Sequence, residues 1–246
     1  MGSEIIQIGI GKLPTKFAIH KELICRTGEA MGALVNSPLA PGKIIVLSAE
    51  DPAIFKLFVE YIYSRKVPAA TEAMTPGARA SRVNHLCQLY AFLEKYQVNF
   101  EIRNKVMDCI QDGFALTALL PESGIIKAIY QHTSINSPLR QFCTESVLYH
   151  LYSPEYVASG VIPDLMQVKE FANDFLETIR ESRESQQPNL DPRIRHCERD
   201  MNCVEYAGDF SKLERKEGNH PCHFHKHGGL INGKVADEAP CYLWKA

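Results

Sequence analysis

The chain has 246 residues, of which 45% are apolar and 23% charged, with 15 Gly, 14 Pro and a formal net charge of −2. These values fit an ordinary folded chain of one to two domains and exclude collagen-like and low-complexity classes. The near-zero charge gives no overall pull toward nucleic acid or an anionic membrane, and no segment approaches the ~18–20 consecutive apolar residues of a bilayer span.

Met1 to Leu13 carries Glu4 early and only a short apolar run. It lacks the basic region, apolar stretch and cleavage site of a secretion signal, so cytosol or nucleus is the expected compartment, where thiols stay reduced. Ile6, Ile8 and Ile10 alternate with Gln7 and Gly9, the period of a strand buried on one face. After a turn at Pro14, Phe17-Ala18-Ile19 predicts the second strand of a hairpin. Lys21 to Val35 reads as helix. Gly28 and Gly32 mark a place for it to break, because each Gly costs ~1 kcal/mol against Ala in a helix interior. Ile44-Ile45-Val46-Leu47, flanked by Gly42 and Ser48, predicts a short buried strand.

Asp51-Pro52 signals a helix start, a carboxylate cap followed by a proline suited to the first turn. Ile54, Phe55, Phe58, Val59, Ile62 and Tyr63 then recur at helical spacing, until Arg65 and Lys66 at the C-terminus and Pro68 beyond it. Ala69 to Ala80 has no periodicity and reads as an exposed loop. Val83, Leu86, Cys87, Tyr90 and Leu93 predict the next helix, and Ile102, Val106, Cys109 and Ile110 another after Asn99. Leu116 to Leu120 is a short apolar run punctuated by Pro121.

Farther on, Ile125, Ile126, Ile129 and Tyr130 form one short stripe, and Ser137-Pro138 opens a helix whose face is Leu139, Phe142, Cys143, Val147 and His150. Leu165, Val168, Ala172, Phe175 and Ile179 line a long helix starting near Pro163-Asp164. From Arg180 to Pro188 the stripe gives way to Glu, Ser, Arg and Gln, a solvated helix end or linker. Eight Cys in such a length are too few for a disulfide framework. Cys25, Cys87, Cys109 and Cys143 fall in apolar patterns and are expected as core thiols.

Read together, Phe17-Ala18-Ile19-His20-Lys21, Leu23-Ile24-Cys25, Ala33-Leu34, Ile44-Ile45-Val46-Leu47, Asp51-Pro52-Ala53-Ile54-Phe55 and Phe58-Val59-Glu60-Tyr61-Ile62-Tyr63 have a familiar order and spacing. With Leu89-Tyr90-Ala91-Phe92-Leu93-Glu94-Lys95-Tyr96, this segment resembles the BTB/POZ family, most of all fungal BTB proteins with an added helical half. The resemblance covers roughly Ile5 to Phe114. It implies a small sheet capped by helices and a protein-interaction module without catalysis, often self-associating. Two departures stand out. Gly28, Ala30 and Met31 occupy positions where the family often has Ser and aromatics, so the self-association face is expected to differ. Leu39-Ala40-Pro41-Gly42-Lys43 lacks the Glu that cullin-recruiting members often carry, which argues against a cullin partner. His20-Lys21 invites a catalytic reading. The family places this pair at a strand-to-helix junction, and no nucleophile, base and orienting group accompany it in sequence.

The C-terminal part, from about residue 188, changes composition. It holds Cys197, Cys203, Cys222 and Cys241 with His196, His220, His223, His225 and His227, four of eight Cys and five of nine His. Cys197, Cys203 and Cys222, completed by His225 or His227, resemble a structural Cys3His zinc site. A metal there supplies ~10 kcal/mol or more of apparent folding free energy to a segment with few large apolar residues. The spacing departs from the common paired-cysteine repeats, so a tail with chance Cys and His stands beside the zinc reading. A catalytic zinc on His225 and His227 lacks an obvious carboxylate base. Cys241 and Trp244 are expected to tuck back onto the body. Lys+Arg and Asp+Glu balance at nine each from Pro188 onward, with neither basic stripe nor finger repeat, so direct nucleic-acid binding is not expected.

The expected architecture is α/β of the α+β kind: a BTB/POZ-like domain over 1–114, an all-helical extension over 115–187 and an irregular Cys/His-rich tail over 188–246. The expected function is a non-catalytic adaptor or scaffold that binds other proteins, as a homodimer where it self-associates, without a membrane role. A BTB-type transcription regulator, a cullin ubiquitin-ligase adaptor and a zinc-dependent enzyme using the tail are the alternatives.

Overall fold

Alternating apolar residues set the first hairpin. β1 (Ile5–Ile10) and β2 (Thr15–His20) pair antiparallel, in register from Ile5↔His20 to Ile10↔Thr15. Ile8, Ile10 and Ile19 are fully buried while Gln7 and Ala18 face out, as a period of two requires. The structure is a computed structural model that describes residues 3–37, 44–152, 161–185, 190–194, 223–226, 230–231 and 234–235. It divides the chain into two compact units, Met1–Ile110 and Gln111–Ala246.

In the first unit, the expected helix after His20 is two: α1 (Lys21–Cys25) and α2 (Glu29–Asn36). The break covers Arg26 to Gly28, and space requires a glycine at its end. A Cβ there would lie 2.7 Å from the backbone oxygen of Gln97, and the Asn99 N–H donates to the Thr27 oxygen at 2.8 Å. Gly32 stays within α2. β3 (Ile45–Leu47) pairs parallel to β1, giving a three-stranded sheet in the order β2-β1-β3.

α3 (Pro52–Ser64) starts where Asp51-Pro52 indicates, with Asp51 Oδ1 accepting the Ala53 N–H at 2.7 Å. Its buried face is Ile54, Phe55, Leu57, Phe58, Tyr61 and Ile62. Val59 is only half-buried and Tyr63 is exposed, so the stripe is turned from the expected one. The helix packs on two sides, against the sheet through Phe17–Phe55 and against α4 (Pro76–Lys95), and Leu57 and Tyr61 are also inside. α4 begins at Pro76, so the expected loop ends at Thr75. Thr75 Oγ1 accepts the Ala78 N–H at 3.3 Å, the same cap-then-proline start as α3. Rings of Phe17, Phe55, Phe58, Phe92 and Tyr96 form a continuous chain across this unit. α5 (Phe100–Thr117) is capped by Asn99, whose Oδ1 accepts the Ile102 N–H at 3.0 Å.

The second unit carries α6 (Ser123–His132), α7 (Pro138–Tyr152), α8 (Val161–Leu165) and α9 (Lys169–Ser185). α7 packs chiefly on α9, and α6 rests on both α7 and α8. The expected long helix from Pro163 is interrupted after Leu165, and Leu165, Phe171 and Phe175 are its buried residues, of which Leu165 and Phe175 lie on the expected face. Ala172 and Ile179 are half-buried, and His150 is exposed at the end of its predicted face. α9 runs on to Ser185 through the expected linker, with Arg180 bracketed by Glu177 and Glu184. In the tail, β4 (Leu230–Ile231) and β5 (Lys234–Val235) pair antiparallel on either side of the sequence Asn-Gly, a frequent hairpin pair. The fold is mixed α+β, a small sheet with helices. No helix among the described residues is long and apolar enough to cross a membrane.

Candidate functional site

Two surfaces stand out, one in each unit. In the first unit β1 is central, so among the described strands β2 and β3 each pair on one side only. An edge strand presents unpaired N–H and C=O groups to any strand that approaches. Three apolar side chains of this sheet are exposed: Val46 on the β3 edge 47%, Ile5 at the start of β1, ahead of the stretch that β3 pairs with, 59%, and Leu13 in the β1–β2 turn 92%. Gly11 makes the turn at φ +92°, and its N–H donates to the Leu47 oxygen at 3.0 Å, tying the hairpin end to β3.

His20 and Lys21 have separate structural partners. His20 Nδ1 lies 2.8 Å from the Tyr63 hydroxyl, which also accepts the His20 backbone N–H at 3.1 Å. Lys21 Nζ donates to Glu4 at 3.0 Å. The pair therefore fastens α3 and the start of β1 to the β2–α1 junction. Of the four expected core thiols, Cys87 and Cys143 are buried, and Cys25 and Cys109 are half-buried. Burial pushes the Cys87 thiol up to about 12, which keeps it neutral and unreactive. Burial and the neighbouring Glu50 carboxylate raise Tyr96 above the ordinary phenol range. The Tyr96 hydroxyl donates to Glu50 at 3.0 Å.

In the second unit α7 is held on both flanks. Arg140, 6% exposed, donates from Nε to Thr133 Oγ1 at 3.0 Å and from Nη2 to the Tyr130 oxygen at 2.9 Å. Its guanidinium also lies 4.5 Å from the Tyr130 ring centre. Tyr130 in turn donates to Asp174 at 3.0 Å, and Thr178 to Thr144 at 2.9 Å, so α6, α7 and α9 are cross-tied. Burial raises the Tyr130 phenol far above its usual range, and the acidic groups of Cys143 and Asp174 add to this. Against this firm helix rests a piece of the tail. Phe224 is 1% exposed and meets the Phe142 ring edge-on at 5.4 Å. His223 Nε2 sits 2.8 Å from the Glu145 carboxylate.

Of the expected metal ligands, Cys197, Cys203, Cys222 and His227 lie outside the described residues, as do Cys241 and Trp244. The loop Leu39 to Lys43 lies outside them too. His225 is described and is 9% exposed, beside Phe224. Among the described residues no three His, Cys, Asp or Glu side chains come together as a metal cluster. His223 and Phe224 escape a reading by ligand spacing. The available signal was an aromatic residue between two His in a stretch otherwise poor in apolar groups.

Compared with family models, with curated proteins and with solved structures, the chain finds no match.

Proposed function

We propose that the chain is a non-catalytic protein–protein interaction module, an adaptor or scaffold. In this reading its first unit is BTB/POZ-like and pairs with other proteins, a second copy among them. One observation carries it: a small sheet packed against helices keeps two strand edges unpaired among the described strands, with Val46 exposed on the β3 edge, Ile5 at the open start of β1 and Leu13 in the hairpin turn. Exposed apolar side chains at sheet edges favour contact with a partner chain. The buried interior of the same unit is dominated by aliphatic and aromatic side chains, which serve packing.

Affinity capture from the native cell tests the reading, with the full chain and with an Ile5→Glu/Val46→Glu variant. A protein enriched by the natural chain and lost from the variant is the expected result. A cullin among the captured proteins selects the ligase-adaptor form, and chromatin factors select the transcription-regulator form. Equal capture by both chains contradicts the reading. Self-association is checked by light scattering at tens of micromolar, where a dimer of about 8 kcal/mol is largely formed; a monomer there removes it.

The tail fits this scheme as a structural zinc site of Cys197, Cys203 and Cys222 with His225 or His227. Thiolate and imidazole donors are what such a site uses. Native mass spectrometry of chain purified without chelator is expected to show one zinc per chain, and a zinc-free mass rejects the assignment.

A further inference from the structure

The His223–Lys226 segment rests on one turn of α7 through two consecutive side chains. The Phe224 ring enters an aromatic slot, edge-on to Phe142 at 5.4 Å, with Phe114 a further 5.6 Å from Phe142. An acid stands at the mouth of this slot. Both Glu145 oxygens lie 2.8 Å from His223 Nε2, and Gln141 Nε2 donates to one of them at 2.9 Å, fixing the carboxylate. Phe142 and Glu145 stand three apart on the helix and Gln141 and Glu145 four apart, so slot, acid and amide share one face. The His223 side chain remains 34% exposed, so the seat opens to solvent.

We propose that this seat on α7 is a docking site for a short peptide segment, an aromatic residue preceded by a histidine, and that the chain's own His223–Lys226 occupies it in cis. The anchor is local in sequence. A free peptide of the same chemistry can reproduce it without rearranging the helix that the Arg140 and Thr144 ties hold in place. The resident segment competes from within the same chain, at an effective concentration of about millimolar. It therefore keeps an equivalent segment out until its own anchor is lost. This site is independent of the sheet edges of the first unit, and its test does not depend on them.

A fluorescent peptide spanning residues 221–228, with Cys222→Ser, is titrated into full-length chains in the presence of chelator and followed by anisotropy. The Phe224→Ala chain is expected to bind it at least about tenfold more tightly than the natural chain, whose seat is filled. Adding Glu145→Lys to that variant is expected to abolish binding, and a peptide carrying His223→Glu to restore it. Full-length His223→Glu is the second variant. Its altered side chain lies at the surface, and repulsion from Glu145 loosens the segment without touching the aromatic slot. Binding by neither variant, or binding by the natural chain as tight as by the variants, overturns the proposal.

Discussion

Replacing Gly28 and Gly32 by Ala, one at a time, separates space from helix propensity in the same short stretch. At Gly28 a Cβ would lie 2.7 Å from the Gln97 oxygen and 3.2 Å from Val98 Cα, both backbone atoms. That backbone is not free to swing aside. The Val98 N–H is bonded to the Leu93 oxygen at 2.9 Å and the Asn99 N–H to the Thr27 oxygen at 2.8 Å. Gly28 has φ 162°, an extended value open to any residue, so the cost of Ala there is steric alone. Overpacking of this kind costs about 1–3 kcal/mol. At Gly32 the new Cβ would meet Cys25 atoms at 3.8 Å, an ordinary contact, inside α2. Ala then gains up to about 1 kcal/mol of helix propensity. The two substitutions are expected to have opposite signs and to differ by about 2–4 kcal/mol. Urea unfolding followed by far-ultraviolet circular dichroism reads this as midpoints shifted in opposite directions. A neutral Gly28→Ala, or equal shifts for both, refutes the close approach of α2 to the turn at Gln97.

Three further outcomes can be checked on the same purified chain. Asp51→Ala removes the acceptor for the Ala53 N–H and is expected to lower stability by about 1 kcal/mol, seen in the urea midpoint. Phe58→Ala empties a fully buried site between Phe55 and Phe92 and is expected to cost about 3–5 kcal/mol, again by urea unfolding. Burial lifts the Cys87 thiol from 9.0 to about 12, so the folded chain keeps a proton that the unfolded chain gives up. Its stabilising share is whole below pH 9.0 and is lost as pH climbs through about 12. The urea midpoint is therefore expected to fall with pH across this window, and less steeply in Cys87→Ala; equal slopes would place the thiol in contact with water.

The sequence was most legible where one physical signal acted alone. Alternating isoleucines specified β1, and Asp51-Pro52 marked the start of α3, because strand period and helix capping are local properties. The same capping logic was available at Thr75-Pro76, yet the Ala- and Gly-rich composition around it reads as loop, and packing decides for helix. Faces were harder than elements. Tyr63 follows the helical period, but its hydroxyl serves His20 at the surface, while Leu57 and Tyr61 turn inward because α3 has neighbours on two sides. Phe171 falls outside the predicted stripe for a related reason: the break between α8 and α9 resets the helical phase after Leu165. At the candidate site, a Cys/His tally draws the eye to metal chemistry. The contact between His223 and Glu145 joins residues far apart in the chain, which no local pattern encodes.

The account centres on partner binding at the edges of the β2-β1-β3 sheet, and lysine cross-linking in native extract addresses it most directly. Lys12 and Lys16 are exposed on either side of Leu13. Cross-links from a partner protein, or from a second copy, are expected to fall on these two lysines and to disappear when Ile5 and Val46 are both changed to Glu. Cross-links that spare Lys12 and Lys16, or that persist unchanged in the double variant, contradict it.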